Sequence, residues 1–151
     1  MKMSAFFTTL LLFSGTSMAA QSPVGTWIRV SSIIEDTSGT KTDLQESLAM
    51  AMPCIASMTY SFLPDGKVNT TTDACPEAMK KASQAADAVS RWKASGNKIV
   101  VTTSNGSLPP ATYVVTYQAN TMTWAFSFAD NPKTPNPMNA KATIIVFQRL
   151  N

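Results

Sequence analysis

The chain contains no histidine, and only two cysteines among its 151 residues. Without histidine there is no Ser-His-Asp or Cys-His arrangement. Two sulfurs with no imidazole cannot complete a tetrahedral zinc site. A Gly-x-Ser-x-Gly elbow and a phosphate-cradling glycine loop are absent as well. Basic residues are scattered, with Lys80-Lys81 the only adjacent pair at a formal net charge of +3. That gives no basic stripe for nucleic acid. The carboxylates do not form a hydrolytic pair. Glu35 and Asp36 are neighbours, so on a strand they face opposite ways, and Asp43 with Glu46 reads as a helix-capping arrangement. These absences lead us to expect a protein that is not an enzyme and that carries no cofactor and no metal.

What the chain does have begins with an export signature. Lys2 precedes a short apolar run, Ala5 to Phe13, too short to span a bilayer, and Ser17-Met18-Ala19 supplies small residues before a cleavage point after Ala19. No cysteine follows that point, which argues against lipid anchoring. Residues 1–19 are thus expected to be a signal peptide and residues 20–151 one exported domain, periplasmic or extracellular. No later stretch suits a membrane span. The domain is long enough for a single core and is expected to be a monomer.

An even cysteine count in an exported chain reads as a disulfide. Pro64-Asp65-Gly66 is a turn between Met58–Leu63 and Lys67–Thr72, and folding about it sets Cys54 nearly opposite Cys75. Closing that loop stabilises the fold by about 3 kcal/mol on the chain-entropy model.

The remaining pattern is strands and turns. Val24 to Ile34 is β-rich; Ser38-Gly39 breaks it. Asp43 to Met52 reads as a short helix with Leu44, Leu48 and Met52 on one face, stopped by Pro53. Pro76 to Ala88 reads as a second helix opened by its proline. Strands follow at Ser90–Ala94, Lys98–Thr103, Thr112–Gln118, Thr121–Phe128 and Ala142–Leu150, with turns at Gly96-Asn97 and Ala119-Asn120. Asp130 to Asn139 is a proline- and asparagine-rich loop. Thr121–Phe128 has the clearest period of two, with Met122, Trp124, Phe126 and Phe128 on one face. The fold class expected is all-β: an eight-stranded antiparallel up-and-down barrel covered by one or two short helices.

Five motifs, in order along the chain, resemble the bacterial lipocalin-like domains within the wider calycin group. They are Gly25-Thr26-Trp27, the hairpin Tyr60-Ser61-Phe62-Leu63-Pro64-Asp65-Gly66, its flanking cysteines, Trp92 followed by Gly96-Asn97-Lys98-Ile99-Val100-Val101, and the closing Phe147-Gln148-Arg149. The resemblance implies a closed barrel in which Arg149 lies across Trp27 as a structural seal. The Arg-x-Tyr carboxylate clamp of fatty-acid-binding proteins is not carried over, because only Asn151 stands two residues past Arg149.

The function expected is non-catalytic binding of a small apolar or amphipathic molecule by Tyr60, Phe62, Trp92, Met122, Trp124 and Phe126, all of inward parity. An open interior favours that reading, and a filled one favours a protein-binding module or a structural envelope role. The module considered resembles the periplasmic metalloprotease inhibitors, which insert an N-terminal arm; only Ala20 to Pro23 would serve as one. Two further points stay open. The methionines at 50, 52 and 58 form either a lid or a plug. Strict alternation sets Arg29 with Ser31 and Ile33 on the Trp27 face, so either a bulge re-aims the strand or one face packs under a helix; an inward Arg29 could meet an anion, an outward one is a rim charge.

Overall fold

A computed structural model describes residues 21–150, and the expected signal segment lies outside them. The strands are β1 (Gly25–Asp36), β2 (Lys41–Asp43), β3 (Thr59–Phe62), β4 (Val68–Thr71), β5 (Ser90–Ser95), β6 (Lys98–Thr103), β7 (Ala111–Gln118), β8 (Thr121–Ser127) and β9 (Ala140–Arg149). Helix α1 (Gln45–Ala51) is followed by a 3-10 turn (Pro53–Ser57), and α2 (Glu77–Val89) links β4 to β5. The strands pair antiparallel in the order β4-β3-β1-β9-β8-β7-β6-β5, while β2 pairs only with β1. This is the expected eight-stranded up-and-down barrel, with β2 added. First and last strands are hydrogen-bonded neighbours. The seam lies between β4 and β5, where Trp92 N donates to Gly66 O at 2.7 Å and Trp92 Nε1 to Lys67 O at 3.0 Å.

The alternation conflict in β1 is resolved by a bulge. Arg29 pairs with Phe147, Ser31 with Val146 and Ser32 with Ile145, so Val30 is the extra residue. Trp27, Arg29, Ser32 and Ile34 therefore share the inward face, and Ile28, Ser31, Ile33 and Glu35 the outward one. β2 was not anticipated; Asp36 makes its turn, accepting from Ser38 N at 2.8 Å, Ser38 Oγ at 2.6 Å and Thr40 N at 2.9 Å. Asp43 ends β2 instead of starting the helix, and its Oδ1 accepts from Gln45 N at 2.9 Å.

The barrel interior is packed with side chains. Trp27, Phe62, Ile99, Val115, Met122, Trp124 and Phe147 form one buried cluster. Phe62 and Trp124 ring centroids are 5.1 Å apart, Trp124 and Phe147 5.8 Å, Tyr60 and Phe147 5.5 Å. Such tilted and edge-on contacts add roughly 0.5–1.5 kcal/mol each beyond area burial. A second cluster, Cys54, Met58 and Cys75 with Met52, Ile55 and Met79, stands at one end and meets the first through Tyr60. Cys54 and Cys75 are disulfide-bonded, as the hairpin register implies.

Candidate functional site

The two barrel ends differ because their connections differ. The turns at 63–67, 96–97 and 119–120 all fall at the end where β1 starts. That end is sealed. Trp27 Nε1 donates to Pro23 O at 2.7 Å, and Arg149 Nη1 donates to Val24 O at 3.2 Å while its guanidinium covers the Trp27 ring at 4.3 Å. A glycine is required at 25: its φ is +135°, and a Cβ there would sit 2.6 Å from Arg149 Nη1.

The opposite end carries α1, α2 and the loops 104–110 and 128–139. Here a pocket of about 320 Å³ opens between the two loops. Its floor is the inward face of the strand ends: Ala111 and Tyr113 of β7, Phe126 of β8 and Thr143 of β9. Its walls are Leu108-Pro109 on one side, and Phe128, Thr134 and Pro135 on the other. Leu108 is 63% exposed, which is costly for a leucine with no partner.

The pocket wall depends on Asn131, a buried polar residue only 5% exposed. Its Oδ1 accepts from Thr112 N at 2.8 Å, and its Nδ2 donates to Thr112 O at 3.0 Å and Ser127 O at 2.8 Å. That side chain bonds the loop to β7 and to the end of β8. Asn136 repeats the device on Ala140, donating to its carbonyl at 2.8 Å and accepting from its N–H at 2.9 Å. The two asparagines hold open the space the loops enclose.

Of the six residues expected to bind a ligand, Phe126 alone lines this pocket. Phe62, Met122 and Trp124 are buried in the packed core beneath it, and Tyr60 and Trp92 pack against that core. The pocket nevertheless joins the core directly: Tyr113 stands 5.1 Å from Trp124 and 5.3 Å from Phe126, centroid to centroid. Burial pushes the phenols of Tyr60 and Tyr113 above the usual tyrosine range, and for Tyr60 the nearby positive charge of Arg29 offsets part of that rise. Leu108, Tyr113, Phe128, Asn131 and Pro135 were not singled out from sequence. The one sequence signal for them was the clustering of proline and asparagine in the two longest loops.

The methionine question divides. Met58 is buried beside the disulfide, with Met52 packed against it, so these two plug the end. Met50 is 71% exposed and takes no part. The N-terminal residues 22–24 are folded back on the sealed end by the bonds from Trp27 and Arg149. No helix among the described residues is long and apolar enough to cross a membrane, and no cluster of acidic or sulfur ligands is placed there to hold a metal. No family model, curated protein or solved structure matches the chain. The antiparallel, nearly closed eight-strand barrel is compatible with a calycin-like fold.

Proposed function

We propose that this is an exported, non-catalytic lipocalin-like carrier that holds a small apolar or amphipathic molecule at the mouth of its barrel. The observation that carries the reading is the apolar pocket between Leu108 and Pro135, floored by Tyr113 and Phe126. Its volume is at the small end for a ligand site. A ligand burying about 200 Å² of apolar surface there gains about 5 kcal/mol, part of it offset by lost freedom on association. Such a balance suits a ligand taken up and released. The packed interior confines the ligand to the mouth, so the site is shallower than an open barrel would give.

Export fits the disulfide and the lack of any membrane-crossing helix among the described residues. The rival protease-inhibitor reading needs a free N-terminal arm. Residues 22–24 are instead hydrogen-bonded to Trp27 and Arg149, which weighs against insertion. Native mass spectrometry of protein purified from its own host tests the proposal. A solvent-extractable adduct of one small molecule per chain is the expected result. A bare chain that also refuses every apolar probe removes the carrier reading.

A further inference from the structure

A second site, separate from the mouth, lies in the barrel wall. Along β1, Ile28 is the last partner of β3 and Ile33 the first partner of β2, so neither strand pairs with residues 29–32 on that side. Helix α1 and the 3-10 turn pack there instead. They leave a slot of about 480 Å³ directly at the Val30 bulge. Its apolar lining comes from Ile28, Val30, Ala49 and Ala56, and its polar lining from Arg29, Gln45, Glu46 and Asp43.

Two atoms in this slot are out of balance. Arg29 Nε, a donor, and Gln45 Oε1, an acceptor, are both buried without a hydrogen-bond partner. Folded proteins pair nearly all such groups. Only one other buried side-chain atom among the described residues is unpaired, Trp124 Nε1 in the core. Arg29 also has no salt bridge to a carboxylate among the described residues. Asp43 is already committed: its carboxylate accepts from Ser31 Oγ at 2.5 Å, Ser32 N at 3.1 Å and Gln45 N at 2.9 Å. Glu46 is exposed at the rim.

The charges decide the ligand class. One guanidinium faces two carboxylates across the slot. A simple anion would be repelled by Asp43 and Glu46, and a simple cation by Arg29. A molecule carrying both signs close together satisfies both. We propose that the slot binds a free α-amino acid with an aliphatic side chain. Its carboxylate accepts from Arg29, its ammonium donates to Gln45 Oε1 and faces Glu46, and its side chain lies on Ile28 and Val30.

The test is a titration of the full exported domain with free leucine, followed by amide NMR. Saturable shifts at residues 29–32 and 45–49 are expected. N-acetyl-leucine methylamide, which has the same side chain and neither charge, should bind at least about tenfold more weakly, a change on the scale of one charge-assisted contact. Glu46→Lys, at an exposed position, should weaken leucine by a similar factor with its unfolding midpoint unchanged, and Arg29→Gln should do so too. Leu108→Glu, at the mouth, should leave leucine binding intact. The proposal is overturned if leucine, valine and methionine give no saturable shift. It is equally overturned if the uncharged analogue binds as well as leucine, if Glu46→Lys binds leucine like the parent, or if a leucine-soaked crystal shows only water bridging Arg29 Nε and Gln45 Oε1.

Discussion

Arg149 lies over the indole of Trp27, its guanidinium carbon 4.3 Å from the ring centroid, so the end of the last strand clamps the start of the first. The same guanidinium donates to Val24 O, which ties down the chain entering β1. Arg149→Met keeps the aliphatic stem and removes the charge and the donor. It should cost about 1–3 kcal/mol, the sum of a cation–π contact and one hydrogen bond. Urea unfolding measures it; no change in midpoint would show that the seal contributes nothing.

The Cys54–Cys75 bond ties the 3-10 turn to the segment that leads into α2, a sequence separation of 21 residues. The Cys54→Ala, Cys75→Ala double variant should lose about 3 kcal/mol. Labelling of the unfolded, unreduced protein should find no free thiol. Two reactive thiols per chain would show that the bond does not form.

Trp124 is 6% exposed and touches Phe62, Tyr113 and Phe147. Trp124→Ala should cost about 3–5 kcal/mol, the range for emptying a packed aromatic site. A loss below about 1 kcal/mol would mean the interior is loose, and would reopen the deep-cavity reading.

Acid should destabilise the protein by a definite route. The Ser31 hydroxyl, then the N–H groups of Gln45 and Ser32, hold the Asp43 carboxyl below the ordinary carboxylate range. Bonding to Lys141 at 2.6 Å does the same for Glu35, and the Ser38 hydroxyl does so for Asp36. A depressed folded-state pKa gives stability that is present above the unfolded value of about 4 and lost as pH falls through the folded value. The unfolding midpoint should therefore be flat near neutrality and drop below about pH 4, with a shallower drop in Asp43→Asn. The tyrosines act at the other extreme. Burial raises Tyr113, so its contribution is complete below about pH 10 and is lost as pH climbs from there towards the folded value. Phenolate absorbance in the folded state should appear later than in urea.

Local chemistry was legible in the sequence. Pro64-Asp65-Gly66 marks the β3–β4 turn because only glycine suits φ +83° there, and a Cβ would meet Trp92 O at 2.8 Å. Thr121–Ser127 shows its buried face because period two is a property of one strand. The conflict in β1 signalled a bulge, and pairing with β9 placed it at Val30. The mouth was not legible. Its wall is set by Asn131 reaching Thr112, 19 residues away, a contact no periodicity encodes. Nor could the parity of Phe62 and Trp124 tell a lining from a filling, because that depends on whether rings from different strands meet, and here they do at 5.1 Å.

The carrier proposal is tested most directly by titrating an apolar fluorescent probe into the wild-type domain and into Leu108→Glu. The account predicts saturable one-to-one binding to the wild type, accompanied by a change in tryptophan emission through the Tyr113–Trp124 contact. It predicts loss of that binding in Leu108→Glu with an unchanged unfolding midpoint, because Leu108 is exposed and outside the core. No saturable binding to the wild type, or equal binding to both proteins, would contradict it.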